Sequence, residues 1–233
     1  MQIIVQPGDT FWNYSQMFGI PLPLIIDSNR GLDSMNIQPG QQVNIPGFIM
    51  QPHTIQQGDT FFTLANRYHI PLQHLLFVNR MIAPENLQIG MIIQLPIRVT
   101  WKTVSEVQSY DDEKMTTDIQ NLLTIYPFLL HNIIGESVMK KPLHEIVVGN
   151  GTKRVHVNGS FHANEWLTTP LIMHFLNDYL LRLTNGSNAQ NLNYLHLYET
   201  TRLSLVPMVN PDGVNLVIHG VPPEEPYRST VLE

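Results

Sequence analysis

Gly8-Asp9-Thr10-Phe11 returns as Gly58-Asp59-Thr60-Phe61, and the reading of that quartet decides the first hundred residues. Other marks recur at the same offset of 50 residues: Ile20-Pro21-Leu22 as Ile70-Pro71-Leu72, Asn29-Arg30 as Asn79-Arg80, and Pro46 as Pro96. Self-similarity at such a period signals two copies of one folding unit. Each copy reads strand, helix, helix, strand. Ile3–Val5 and His53–Ile55 are short β-rich runs ending at the Gly-Asp turn. Thr10 and Thr60 stand where a hydroxyl can cap the first turn of a helix. Phe11, Tyr14 and Phe18 then fall at helical spacing, as do Phe61, Leu64 and Tyr68. Pro21 and Pro71 suit the start of a second helix, where a missing N–H costs nothing. Val43–Ile45 and Ile92–Leu95 return as strands. The junction Gly47-Phe48-Ile49-Met50-Gln51-Pro52 is short and partly apolar, and reads as a constrained hinge.

This order of features resembles the LysM domain, a βααβ module that binds N-acetylglucosamine-containing glycans such as peptidoglycan and chitin. The resemblance covers about residues 2–47 and 53–97. It implies a shallow sugar groove between the loop after strand one and the loop before strand two. Those loops carry Gly8, Asp9, Thr10, Asn36, Ile37 and Gln38 in the first copy. In the second they carry Gly58, Asp59, Thr60, Asn86, Leu87 and Gln88. The Gly-Asp-Thr turn also has a folding role, through positive φ at Gly and capping by Thr. Phe11 and Phe61 read as core. Two weak sites on one chain gain from effective concentration on a polymeric ligand.

Composition narrows the partners. Thirteen Lys and Arg against 19 Asp and Glu give a net charge of −6, and no block of like charge stands out. That argues against nucleic acid and against a polybasic membrane contact. With no Cys, disulfides, thiolate metal sites and Cys nucleophiles are excluded together. The first residues carry neither a basic region nor a long apolar run, so no secretory signal or membrane span is expected. A cytoplasmic location is the expectation, or the sporulation-associated cell wall that the family resemblance implies, and a monomer is expected.

Beyond Thr100 the texture changes. Thr116–Tyr126 suits a helix, and Glu145–Val148 a strand. Arg154–Ser160 reads as a second strand that delivers Phe161-His162-Ala163-Asn164-Glu165-Trp166 at its end. A His and a Glu three residues apart can present an imidazole nitrogen and a carboxylate oxygen on one face, both ligand types that zinc accepts. Thr169 as N-cap and Pro170 as first residue begin a helix with Ile172, Phe175, Leu176, Tyr179, Leu180 and Leu183 as its apolar stripe. Leu195–Glu199 reads as a loop or short turn. Leu203–Val209 is a near-continuous apolar strand ending at Asn210-Pro211-Asp212-Gly213, in which Asp212 is a turn residue bonding its own backbone. Strand–helix–strand in this order is the parallel α/β pattern, with both motifs at the carboxyl ends of strands. His156 reads as a satisfied wall residue, Trp166 as packing.

Together these segments, residues 101–233, resemble the N-terminal portion of the zinc carboxypeptidase fold, an α/β/α sandwich. Within that family the likeness is to γ-D-glutamyl-diamino acid endopeptidases, which join LysM repeats to this domain and cut peptidoglycan stem peptides. The resemblance implies Zn2+ as cofactor, His162 and Glu165 as its first two ligands, and Asn210–Gly213 as the edge of the site. It also implies metal-assisted hydrolysis at a γ-D-glutamyl-diamino acid bond. The third ligand His, the general-base Glu and the carboxylate-binding groups have no counterpart here, so the site is expected to be incomplete within this chain. His219 is the first suspect for a further ligand. The alternative is a non-catalytic peptidoglycan- or chitin-binding protein carrying a degenerate peptidase remnant.

Overall fold

Each repeat opens with a strand that breaks at a glycine in the left-handed region, Gly8 at φ 88° and Gly58 at φ 85°. A Cβ at either position would meet nothing, so the backbone angle alone demands glycine there. The computed structural model describes residues 1–104, 108–186, 192–221 and 227–232. It falls into two units: Met1–Trp101 with Thr124–Phe128 and Leu181–Ser187, and the remainder of the chain.

The first repeat is β1 (Gln2–Ile4), α1 (Phe11–Phe18), α2 (Leu22–Asp27) and β2 (Gln42–Asn44). The second is β3 (Phe48–Thr54), α3 (Phe61–Arg67), α4 (Leu72–Val78) and β4 (Ile92–Arg98). Each forms its own antiparallel pair, β1 with β2 and β3 with β4. Thr10 caps α1 by accepting from Asn13 N at 3.0 Å, and Thr60 caps α3 through Thr63 N at the same distance. Pro21 and Pro71 stand at the cap position, one residue ahead of α2 and α4. Asn29 and Asn79 weld helix to strand. The Asn79 amide donates to Leu75 O and Gln94 O and accepts from Gln94 N, all at 2.8 Å. Asn29 repeats this with Ile25 O, Asn44 O and Asn44 N. Phe11 and Phe61 are buried in the cores.

The junction is not a hinge. Phe48 to Pro52 belongs to β3 and pairs without a break from Phe48↔Arg98 to Thr54↔Ile92. Apolar burial explains the continuity. Phe18 of the first repeat lies 5.3 Å from Phe48, 5.1 Å from His74 and 5.7 Å from Phe77, ring centre to ring centre. His74 Nε2 also reaches Met17 O at 2.7 Å. Phe18 is fully buried, and its loss would cost about 3–5 kcal/mol. The two repeats are thus one packed body.

The second unit contributes most of α5 (Asp112–Ile125), then β5 (Leu130–Glu136), β6 (Pro142–Val148) and β7 (Lys153–Asn158). After β7 come α6 (Thr168–Asn185), α7 (Tyr194–Thr200), β8 (Thr201–Val206), α8 (Pro211–His219) and α9 (Tyr227–Leu232). The sheet runs β5-β6-β8-β7. Only β7 and β8 are parallel; β5–β6 and β6–β8 are antiparallel, so the sheet is mixed where the sequence suggested a parallel one. Ile146, Val147, Val148 and Leu205 bury its centre, whereas all six residues of β7 are exposed at its edge.

Three sequence expectations change here. Leu195–Glu199 is helical, because Asn193 accepts from His196 N and starts α7. Thr169 is not the N-cap: α6 begins a residue earlier, and the buried Thr169 hydroxyl donates to Pro207 O at 2.7 Å. Phe175 leaves the predicted stripe and is exposed, stacked on Tyr179, while Met173 is buried. Among the described residues no helix is long and apolar enough to cross a membrane.

Candidate functional site

The end of β7 is bent by Ser160, which holds φ 48° although it carries a side chain. That left-handed conformation is costly for serine and persists only where the surroundings over-determine it. Here they do. Ser160 N donates to Thr168 Oγ1 at 2.6 Å, and Ser160 Oγ sits 2.6 Å from Thr169 Oγ1 and 3.2 Å from Glu165 O. Gly159 N bonds Val206 O, Val209 N bonds Gly159 O, and Asn210 N bonds Ser160 O, so the ends of β7 and β8 stay side by side. A Cβ on Gly159 would lie 2.8 Å from Ile172 Cδ1 and 2.9 Å from Pro207 O.

Beyond the bend, His162 caps a single 3-10 turn, Ala163–Glu165, of which Glu165 is the last residue. His162 Nδ1 and Glu165 Oε1 are 2.9 Å apart, and the His162 backbone N–H donates to Glu165 Oε2 at 3.2 Å. The pair is open to solvent, with 70% of the imidazole and 45% of the carboxylate side chain accessible. The His162 side chain, then its backbone N–H, holds the Glu165 carboxyl below its usual range.

Asn210–Gly213 borders this turn. Asn210 caps α8 by accepting from Gly213 N at 2.9 Å. A Cβ on Gly213 would lie 2.9 Å from Ala163 Cβ, so glycine is what lets α8 approach the turn. Asp212 does not bond its own backbone: it accepts from Ser137 Oγ at 2.8 Å and Met139 N at 3.0 Å, tying α8 to the β5–β6 hairpin.

The donor set can be tested against zinc. Two ligands at zinc bond lengths of about 2.0–2.2 Å stand roughly 3.3–3.6 Å apart in tetrahedral geometry. The observed 2.9 Å needs only a slight opening. The pair therefore fits two positions of a zinc site. Among the described residues no group of three His, Asp, Glu or Cys gathers around any point. His219, the suspected third ligand, instead bonds Asp111 Oδ2 at 2.9 Å. His156 is exposed and forms part of the wall of a cleft of about 750 Å³ on the sheet face. It bonds Ser204 Oγ at 3.0 Å, which donates to Glu145 at 2.6 Å.

In the repeats the loops divide by burial. Gly8, Thr10, Asn36 and Gln38 are exposed, as are Gly58, Thr60, Asn86 and Gln88; Ile37 and Leu87 are half-buried. The carboxylates face inward. Asp9, half-buried, accepts from Gln6 N and the Tyr14 hydroxyl at 2.7 Å each. Asp59, buried, accepts from Gln56 N at 2.9 Å and lies 2.9 Å from His53 Nε2 and from Arg67 Nη2. Both are committed to the turn. The sequence did not single out those partners, nor Trp12 and Phe62, the exposed aromatics beside each turn; Phe11 and Phe61 are buried, as expected.

Residues 3–46 and 53–96 match the LysM domain, and residues 115–226 match the zinc carboxypeptidase family. The chain thus carries two LysM-domain matches followed by a zinc carboxypeptidase-family match, on a mixed α/β fold. Gamma-D-glutamyl-L-diamino acid endopeptidase 1 of Lysinibacillus sphaericus is 58% identical over 232 residues, which is 100% of this chain and 59% of that protein. YqgT of Bacillus subtilis is 37% identical over 54% of this chain and 34% of its own length. Mouse carboxypeptidase M is 28% identical over 46% of this chain and 25% of its own. The chain thus spans no more than 59% of the length of these relatives.

Proposed function

We propose that this chain is the targeting and front catalytic part of a zinc peptidase that cuts peptidoglycan stem peptides at a γ-D-glutamyl-diamino acid bond. The observation that carries the reading is the His162–Glu165 pair, solvent-open at the carboxyl end of β7 and bordered by Asn210–Gly213. The 58% identity to an endopeptidase of that name supports the substrate class. The LysM repeats would hold the glycan, keeping the peptidase domain near its substrate by effective concentration. His162 and Glu165 would hold the metal, with Ser160 and the Thr168–Thr169 hydroxyls fixing the bend that presents them. A zinc ion bound there supplies Lewis acidity toward a scissile carbonyl and toward water. The proposed setting is the cell wall, with a role in sporulation.

The test joins this chain to the remaining part of the L. sphaericus relative and assays hydrolysis of a γ-D-glutamyl-diaminopimelate peptide with added zinc. We expect turnover from the joined protein, one tightly held zinc per chain, and loss of both in His162→Ala. The 233-residue chain alone should hold zinc weakly after dialysis, since two protein donors leave the remaining positions to water. No turnover from the joined protein, with peptidoglycan binding intact, would favour a binding protein with a remnant domain.

A further inference from the structure

The turns that open the two repeats are held by different means. In the second repeat the Asp59 carboxylate is met wholly from within. His53 approaches from β3, Arg67 from the last turn of α3, and Tyr68 backs His53 with its hydroxyl 3.1 Å from Nδ1. The residues 50 positions earlier are Ile3, Met17 and Phe18, none of which carries a side-chain donor. The first repeat therefore lacks internal cations for its own Asp9.

The second repeat supplies one. Arg80, in the loop after α4, places Nη1 2.9 Å from Asp9 Oδ1 and Nη2 2.5 Å from Asp9 Oδ2. Nη2 also donates to Ile4 O at 2.9 Å, and the guanidinium lies 4.3 Å over the Phe77 ring. A bidentate, charge-assisted clamp of this kind fixes geometry as well as adding energy. Arg30, the counterpart of Arg80, does no such work. Its Nη2 donates to Phe128 O at 2.9 Å and its Nε lies 3.8 Å from Asp27 of its own repeat.

We propose that Arg80 is a positioning residue for the carbohydrate groove of the first repeat. The Gly8-Asp9-Thr10 loop takes its binding shape only with the guanidinium of the second repeat in place, whereas the Gly58-Asp59-Thr60 loop is self-sufficient. The two grooves are then unequal: the second binds a GlcNAc oligomer independently, and the first binds through the second repeat's support. This rests on the reading of both loops as GlcNAc-binding.

The test is an NMR titration of the full chain with the N-acetylglucosamine hexamer, following the Gly8 and Gly58 amides. In Arg80→Gln the apparent Kd read at Gly8 should rise about tenfold, the order expected for one lost charge-assisted contact, while that at Gly58 stays unchanged. Arg67→Gln should do the reverse. Met17→Arg, which gives the first repeat the arginine that the second has at Arg67, should recover the Gly8 response in the Arg80→Gln background. Such rescue would not follow from a general loss of folding. An unchanged Gly8 response in Arg80→Gln, or equal weakening at both glycines without rescue, overturns the proposal and leaves the sugar reading standing. A wild-type chain in which the hexamer moves neither amide overturns the sugar reading, and the proposal with it.

Discussion

Two of the molecule's imidazole–carboxylate contacts serve opposite ends. His53 and Asp59 lie 2.9 Å apart in the second repeat, and His162 and Glu165 lie 2.9 Å apart beyond β7. The first pair is sealed, with 11% and 0% of its side chains accessible; the second is open at 70% and 45%. A buried imidazole–carboxylate pair is a fastening, and removing one partner leaves the other unpaired away from water. An exposed pair contributes little to folding because water competes for both partners. The imidazole and carboxylate of the open pair remain free to act as ligands. The contact distance is the same in the two cases; burial separates them.

The largest expected effect lies at the open pair. In the joined protein, His162→Ala or Glu165→Gln should lower turnover by more than the ~10–100-fold typical of losing a group behind a metal ligand. His53→Ala, the same imidazole in the sealed pair, should leave turnover on a soluble stem peptide unchanged. Equal losses from both would collapse the distinction.

Next comes the sealed pair itself. Asp59→Ala leaves the sealed His53 side chain and Gln56 N without their acceptor, and should destabilise the repeat body by about 1–3 kcal/mol. Asp9→Ala should cost less, because the Asp9 residue is half-buried where Asp59 is buried. Chemical denaturation read at the repeats checks the order. Acid should expose the same asymmetry. The His53 hydrogen bond, more than offsetting burial, and with Gln56 N and Arg67 assisting, holds Asp59 below the ordinary carboxylate value of about 4. A depressed carboxylate contributes stability that is fully present above that ordinary value and is lost as pH falls through the lowered one. The acid limb of unfolding should therefore flatten in Asp59→Asn. An acid limb that keeps its slope would mean that Asp59 is not the group being protonated.

What could be read in advance follows from the range of the forces involved. The repeats were legible because Gly8, Thr10 and Asn29, like Gly58, Thr60 and Asn79, act through local backbone rules: a positive φ, a cap, an amide spanning one helix end. The His162–Glu165 pair was legible for the same reason, being closed within a single turn. The partners of Asp9, Asp59 and Asp212 were not, because Arg80, His53 and Ser137 come from other elements. Strand β5 escaped notice because Ile133 and Ile134 are both exposed, which breaks the alternation that marks a half-buried strand. The bend at Ser160 gave no signal either: glycine would announce a left-handed residue, whereas serine there is held by Thr168 and Thr169.

The smallest expected effect is the most diagnostic. His162→Ala in the present chain should leave the thermal midpoint of the second unit where it was. The imidazole is mostly in water, its side-chain neighbours Glu165 and Phe161 are exposed, and the bend that presents it is held by Ser160 and the threonines of α6. Ser160→Ala, by contrast, should lower that midpoint, because the buried Thr169 hydroxyl loses a partner at 2.6 Å and an alanine is left at φ 48°. In the joined protein Ser160→Ala should also weaken zinc retention, since His162 would no longer be aimed. A midpoint drop in His162→Ala as large as that in Ser160→Ala would make the open pair a structural fastening like the buried one. The carboxyl end of β7 would then lose its claim to be a site.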